Sequence, residues 1–351
     1  MSPNDSVLCP LDSAKLISAH SKHVSICESG VLKTSELLFD SLKSKRYCIK
    51  VWKEHKLHPK KMNRETVDWI FLLDCLNFSF WVENDVPPWA VEFEGEVYHG
   101  YWALCAGINR ALKEGIPITS PSFFAKVTSA QLQQIFRSET STQMPLIDRR
   151  VEILNEAGKM INHNYHGSFA FMIEKCQNSA LKLLQLITTS LKGFQDEGTF
   201  NNCRVSFYKR AQILIADIWA CFEGKSWGQF DDIQVITMFA DYKVPQALLY
   251  LGVLKYSQNL VEKLKRGDII PPGDILELEI RGNSICSVDR IYQKVLSNAQ
   301  NDDIFCEMKK QELAQCFNSV IIDFYLWDFA KEQVEKDVDH PPCHKTRTIF
   351  Y

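Results

Sequence analysis

Helical periodicity is the feature of this sequence that most constrains its fold. From residue 31 to 42, leucines recur at near-helical spacing, which predicts an amphipathic helix. Upstream, Leu11-Asp12-Ser13 predicts the start of a first helix with Asp12 or Ser13 as its cap. Comparable patterns predict helices over 65–76, 101–113, 130–137, 146–162, 179–191, 208–222, 245–254, 260–266, 284–296 and 311–335.

Residues 90–98 depart from the helical pattern. Apolar and polar residues alternate there around Gly95, which predicts a short β-hairpin. A briefer alternation at 276–280 is the only other segment of this kind. With 351 residues, no repeat and no long linker, the chain is expected to form a mainly α single domain over 1–351 with one small β element, or two closely packed helical lobes.

Charge and cysteine usage narrow the class of protein. Lys+Arg 40 against Asp+Glu 43 gives a net charge of -3, which argues against a broad duplex-binding surface, so no stable nucleic-acid binding is expected. No signal peptide is evident, and the most apolar stretch, 69–82, is too short to span a bilayer. Twelve cysteines without a CxxC motif predict reduced, mostly buried thiols. We therefore expect an intracellular protein of the cytoplasm or nucleus, without membrane association.

Common catalytic and metal-binding motifs are missing from the sequence. It contains no GxxxxGK[ST], GxGxxG or GxSxG. Closely spaced histidines could chelate zinc from one helix face, but no CxxC or HExxH accompanies them, so surface turns are the commoner explanation. These pairs are His20/His23, His55/His58, His163/His166 and His340/His344. No metal and no cofactor is predicted.

Three segments combine aromatic residues with carboxylates or amides: 76–81, 238–246 and 321–329. Each could simply be core, and Asp241 could be a helix cap. Asp323 and Asp328 lie about 140° apart on an ideal helix, and a structural ion pair could offset the cost of burying either. The functional alternative is a pocket in which aromatic faces stack on a flat ring and carboxylates bind its N–H groups or positive charge.

Lys209 and Arg210 lie at the predicted start of a helix. They could bind a phosphate there with help from the helix N-terminus, or they could be solvated residues of the first turn. Together with the aromatic segments, they favour a nucleotide-like ligand.

Several segments resemble the queuosine salvage protein family, from about residue 10 to the C-terminus. They are 76–81, 98–102, 110–120, 205–212, 236–246 and 323–328. The resemblance implies a mainly helical fold related to that of the DNA glycosylases. It also implies hydrolysis of the N-glycosidic bond of queuosine 5'-monophosphate, which releases queuine, a 7-deazaguanine with a cationic amine on a cyclopentenediol arm. The alternative is a non-catalytic queuine or nucleotide carrier that acts with a tRNA-modifying enzyme.

The resemblance also assigns residues. Asp241, in Phe239-Ala240-Asp241-Tyr242, matches the family's catalytic carboxylate, and Phe239 matches a residue that stacks on the base. Asp323, Phe324 and Asp328 match residues that hold the base and its arm, although a tyrosine is expected at the position of Phe324. His55 matches a family histidine ahead of Pro59. From the residues alone we add Asn77, within the first aromatic segment, and Lys209 and Arg210 as phosphate contacts.

Because no step of N-glycoside hydrolysis requires a metal, chelators should leave activity unchanged. We expect the protein to release queuine at the same rate before and after dialysis against EDTA. Stoichiometric zinc in protein purified without added metal, lost together with activity on chelation, would contradict this prediction.

Overall fold

The computed structural model describes residues 6–44, 47–332 and 342–351, and they are mainly helical. The α-helices are α1 (Pro10–His20), α2 (Glu28–Lys43), α3 (Val51–Glu54), α4 (Arg64–Cys75), α5 (Gly100–Lys113), α6 (Pro121–Phe124), α7 (Ser129–Ile135), α8 (Ile147–Asn164), α9 (Ala170–Glu174), α10 (Ala180–Ser190), α11 (Lys209–Cys221), α12 (Val244–Tyr250), α13 (Gln258–Arg266), α14 (Ile275–Gln300), α15 (Lys310–Cys316) and α16 (Ser319–Glu332).

The first and the last of the predicted helices differ from their prediction. The first helix begins at Pro10, directly after Cys9, so the assignment of Asp12 or Ser13 as its cap is wrong. Proline suits the first turn because its missing N–H would have no partner within the helix. The helix predicted over 311–335 is divided into α15 and α16, and Asn318 Oδ1 accepts the Ile321 N–H at 3.0 Å. Residues 333–335 of that prediction lie outside the described residues.

In the described part of the chain, the strands form three antiparallel pairs instead of one β element. The expected hairpin is present as β2 (Ala90–Phe93) and β3 (Glu96–His99), with Glu94 and Gly95 both at positive φ in the turn. The other pairs are β1 (Val24–Ile26) with β6 (Leu254–Tyr256), and β4 (Glu197–Phe200) with β5 (Cys203–Ser206). Strands of three or four residues are too short to give a readable alternation, and β1 and β6 are far apart in sequence.

The described residues divide into two compact units. The first comprises those within Met1–Ile49, Gln195–Gln212 and Asp231–Arg347. Its central element is α14, which packs against α1, α2, α12 and α16.

The helix predicted over 284–296 is α14, which begins earlier, at Ile275. The prediction missed this start because it is buried on all sides. Glu277 and Glu279 are both interior, and they break the apolar pattern at 276–280. Glu279 accepts hydrogen bonds from the backbone N–H groups of Lys22, His23 and Val24, at 2.6–3.1 Å. A buried carboxylate is tolerable here because backbone donors replace the lost water.

The second unit comprises the described residues within Lys50–Phe194, Ile213–Phe230 and Thr348–Tyr351. Here α8 packs against α4, α6 and α7, and α5 packs against the β2–β3 hairpin. The buried Arg150 donates to the carbonyl oxygens of Pro145, Leu76 and Phe78. It thereby satisfies backbone acceptors just after the end of α4, where the helix leaves carbonyls without intrahelical partners.

Two further expectations concern membranes and thiols. Among the described helices, none combines the length and the apolar composition that a bilayer crossing requires. All twelve cysteines are free thiols. Only Cys75, Cys105, Cys176, Cys221 and Cys286 are buried, so the expectation that most are buried is wrong.

Gly30 supplies a stability prediction for the first unit. A Cβ added at this position of α2 would lie 2.1 Å from the carbonyl oxygen of Gly252, which is backbone and cannot rotate away. We expect Gly30→Ala to lower the free energy of unfolding by roughly 1–3 kcal/mol in urea titrations, through overpacking. Lys33→Ala, an exposed change in the same helix, is the control and should leave it within about 0.5 kcal/mol. Equal stability of the two variants would contradict the close approach.

Candidate active site

Asp241 lies in the turn that leads into α12. Its Oδ1 accepts the backbone N–H groups of Lys243 at 2.8 Å and Val244 at 3.0 Å, so the capping interpretation corresponds to observed bonds. Its own N–H donates to the Phe239 carbonyl at 2.7 Å, which closes a tight turn at Ala240. Within the described residues, the second carboxylate oxygen accepts no hydrogen bond from the protein, and the side chain is partly exposed. One oxygen is therefore fixed while the other can face a ligand.

Asp323 lies on α16 and is almost completely buried. Its Oδ1 accepts the N–H of Phe239 at 2.8 Å, so this carboxyl group fixes the segment that carries Asp241. The described residues provide no Lys or Arg within ion-pair distance of either Asp323 or Asp328. A structural ion pair, the alternative expected for these two aspartates, is therefore not formed by the described part of the chain.

The two carboxyl groups affect each other's protonation. Burial raises the pKa of Asp241, against the charge of Lys209 and the two backbone hydrogen bonds. Burial also raises the pKa of Asp323 well above its ordinary value, and the negative charge of Asp241 adds to this effect. Because burial raises the pKa of both groups and their negative charges repel, the pair favours a state in which one carboxyl group keeps its proton.

Aromatic rings lie beside this pair. Phe239 and Phe324 are 6.1 Å apart between ring centroids, with planes inclined by 57°. Phe239 is buried and Phe324 is half-buried. The phenyl ring of Phe324 gives this position an apolar face without a hydroxyl group.

Asp328, farther along α16, has a different partner. Tyr47 donates its hydroxyl to Asp328 Oδ2 at 2.6 Å, and its ring meets Tyr325 edge-on at 5.5 Å. Burial raises the pKa of Asp328, while the Tyr47 hydrogen bond lowers it. Burial and the negative charge of Asp328 raise the pKa of Tyr47. Sequence reasoning missed Tyr47, because no pattern in residues around 47 distinguishes it from any other tyrosine.

Lys209 and Arg210 form the first turn of α11, and both are buried. The alternative that they are solvated is therefore wrong. The N–H of Lys209 donates to Asp196 Oδ2 at 3.1 Å, so a carboxylate of the protein already occupies this helix N-terminus. The charge of Lys209 lowers the pKa of both Asp241 and Asp323. Its positive charge therefore favours the ionised forms of these two carboxyl groups.

His55 and Asn77 belong to the second unit. His55 stacks on Trp102 at 3.4 Å between ring centroids, and its Nδ1 accepts the Leu57 N–H at 3.3 Å. Burial, with the charges of Lys60 and Lys56, lowers the pKa of His55 to about 4. Asn77 is buried and donates from Nδ2 to Asp74 Oδ1 at 3.0 Å.

The first unit therefore brings Phe239, Asp241, Asp323 and Phe324 together, with the charge of Lys209 acting on both carboxyl groups. As for metals, the described residues contain no group of three or more His, Cys, Asp or Glu side chains arranged to hold an ion. His340 lies outside the described residues.

Asp323 supplies a pH-dependent prediction. Because its pKa is raised by folding, the native protein holds more protons than the unfolded chain at pH values above about 3.8, and the free energy of unfolding should fall as the pH rises. Asp323→Asn removes the ionisable group but keeps an oxygen that can accept the Phe239 N–H. We expect this variant to be more stable than the wild type at pH 8, with a smaller difference at pH 5.

Thermal melts at the two pH values, followed by circular dichroism, measure this difference. Asp40→Asn, at an exposed position of α2, is the control and should match the wild type at both. A loss of stability in Asp323→Asn at pH 8 would show that the ionised carboxylate is needed for the fold.

The family model and the similar proteins all point to one family. The family model for queuosine salvage proteins matches residues 57–351. A protein of Nematostella vectensis named queuosine 5'-phosphate N-glycosylase/hydrolase is 55% identical over 99% of this chain and 100% of the relative. Proteins with the same name from Bos taurus and Schizosaccharomyces pombe are 44% and 38% identical, over 99% and 97% of this chain and 100% and 99% of their own lengths. The chain belongs to the queuosine salvage protein family.

Proposed function

We propose that this protein hydrolyses the N-glycosidic bond of queuosine 5'-phosphate and releases queuine. The observation that carries the proposal is the pair Asp241–Asp323. In Asp241, which is partly exposed, Oδ1 accepts the backbone hydrogen bonds, and Oδ2 accepts none from the residues that the structure describes. Asp323 is a second, buried carboxyl group whose pKa is raised well above its ordinary value. Full-length similarity to relatives with this activity in their names supports the substrate.

Asp241 takes the ribose side of the reaction. Cleavage passes through an oxocarbenium-like transition state, so a carboxylate beside C1' stabilises the developing positive charge. Its two backbone hydrogen bonds hold Oδ1 in place, which leaves Oδ2 for the sugar or for water. Direct attack on C1' and activation of a water molecule are both compatible with this arrangement.

Asp323 and Asp328 take the base side. A carboxyl group that keeps its proton can donate to the leaving base, and this hydrogen bond strengthens as negative charge builds there. The raised pKa of Asp323 supports that role. Asp328, less buried and oriented by Tyr47, suits the cationic amine of the queuine arm. Phe239 and Phe324 provide faces for the ring.

The remaining assigned residues have more limited support. His55 would be neutral at neutral pH, and because Nδ1 accepts a backbone N–H, its proton would reside on Nε2. Its contact with the substrate stays a prediction. Lys209 and Arg210 stay predictions as phosphate contacts, as does Asn77 as a substrate contact. We also propose that the chain acts as one queuosine-salvage domain related in fold to the DNA glycosylases. It would work on a free nucleotide, in the cytoplasm or nucleus, without stable nucleic-acid binding.

The capping bonds of Asp241 favour a second candidate, a non-catalytic carrier of queuine or its nucleotide. In that case Asp241 would only stabilise the start of α12. The carrier would bind queuosine 5'-phosphate without consuming it. Incubation of the wild-type protein with queuosine 5'-phosphate, followed by chromatography and mass spectrometry for free queuine, separates the two functions.

Asp241→Asn tests the catalytic assignment. Asparagine can still accept the Lys243 and Val244 N–H groups, so the fold should persist, but the negative charge opposite the oxocarbenium ion is lost. We expect turnover to be abolished while queuosine 5'-phosphate still binds. Turnover within about tenfold of wild type, a barrier change of about 1.4 kcal/mol, would contradict the assignment.

The matched control is Asp274→Asn. Asp274 caps α14 by accepting the Leu276 N–H at 2.8 Å and has no place in the proposed site. Its substitution should change stability slightly and leave turnover at the wild-type rate. An equal loss of turnover in both variants would mean that capping, and not charge, explains the effect.

A further inference from the structure

Arg281 of α14 is a buried charged residue whose side chain contacts the backbone of the candidate site. It is 2% exposed, and its Nε donates to the carbonyl oxygen of Ala240 at 2.9 Å. This carbonyl belongs to the peptide group that contains the Asp241 nitrogen. The guanidinium group therefore fixes the peptide plane from which the Asp241 side chain extends.

The opposite side of the same guanidinium forms a two-pronged ion pair. Arg281 Nη1 and Nη2 donate to the two oxygens of Asp196 at 2.9 and 2.5 Å. Asp196 Oδ2 also accepts the N–H of Lys209 at 3.1 Å, and the Asp196 carbonyl accepts the N–H of Phe207 at 2.9 Å. One ion pair thus connects the start of α11 to the segment that carries Asp241.

The surroundings of the guanidinium allow it little movement. The Phe207 ring centroid lies 4.0 Å from Arg281 Cζ, and Glu277 Oε1 lies 3.4 Å from Nη1. His344 is buried, and burial with the charge of Arg281 lowers its pKa to about 3, so it adds no second positive charge. A buried ion pair seldom stabilises a fold more than well-packed apolar side chains would, so fixed geometry is the better explanation for this one.

We propose that Arg281 and Asp196 are positioning residues, which hold the Asp241 backbone and the first residue of α11 in a fixed relation. The inference rests on the proposed function for its kinetic consequence. A displacement of the order of 1 Å at a reacting group can cost about a hundredfold in rate. We call the ion pair of Arg281 and Asp196, with its bond to the Ala240 carbonyl, the clamp. Loss of the clamp should lower kcat and leave KM nearly unchanged, because Arg281 and Asp196 are not proposed to touch the substrate.

Arg281→Lys tests the clamp, because lysine keeps the positive charge and loses the planar fork. We expect kcat for queuosine 5'-phosphate to fall at least tenfold, with KM within about threefold.

Arg110→Lys is the matched control in the second unit. Arg110 is also buried and donates to the backbone carbonyls of Glu92, Ile135 and Arg137, so its substitution should cost stability without changing kcat.

Hydrogen exchange provides a readout that does not depend on activity. The backbone amides of Lys209, Asp241, Lys243 and Val244 should exchange faster in Arg281→Lys than in the wild type, and at the wild-type rate in Arg110→Lys. If the wild-type protein releases no queuine, the proposed function fails, and the exchange rates still decide the positioning role.

A wild-type kcat in Arg281→Lys, with only a lowered melting temperature, would overturn the inference. Unchanged exchange at Lys209 and Asp241 would overturn it as well. If Arg281→Lys does not fold, Asp196→Asn replaces it with the same expectations. If neither variant folds, hydrogen exchange of the wild-type protein tests the clamp. It would be contradicted if the amides of Lys209 and Asp241 exchanged as fast as exposed loop amides.

Discussion

The hydrogen bond from the Phe239 N–H to the buried carboxyl group of Asp323 is the interaction on which the candidate site depends. It connects α16 to a short segment without regular structure, and that segment carries Asp241. Burying a carboxyl group costs free energy, and at Asp323 burial raises the pKa although the charge of Lys209 lowers it. Such a cost at one place in a fold is typical of functional sites, where geometry is maintained at the expense of stability.

The rest of the first unit supports this segment from three sides. Asp323 holds Phe239, Arg281 holds the Ala240 carbonyl, and the start of α12 holds Asp241 Oδ1. The long helix α14 supplies the arginine, and its first half is buried on all sides. A regular scaffold thus positions a reactive group that lies in irregular backbone.

Local pattern predicted most helices but not what joins them. Helix α5 shows apolar periodicity with a glycine just beyond its end, and its prediction from sequence was correct within one residue. Residues 275–283 of α14 were missed because Glu277 and Glu279 are interior, and charged residues are normally read as solvated. The pairing of β1 with β6 was missed because both strands are three residues long and more than 200 residues apart.

The site was only partly readable for the same reason. Asp241 and Asp323 lie in separate aromatic segments of the sequence, and only the tertiary structure brings them close together. Asp196 and Arg281 gave no signal, since isolated charged residues are mostly exposed and their ion pair spans 85 positions. The family resemblance supplied roles for residues whose chemistry alone allowed capping or core packing.

The most direct measurement of the central claim is a crystal structure of the Asp241→Asn variant with queuosine 5'-phosphate bound. We expect the base to lie against the Phe239 ring and within hydrogen-bond distance of Asp323. The ribose C1' should face the side chain at position 241, and the amine of the arm should lie at Asp328. A ligand bound away from position 241, or with its base remote from Asp323, would contradict these roles.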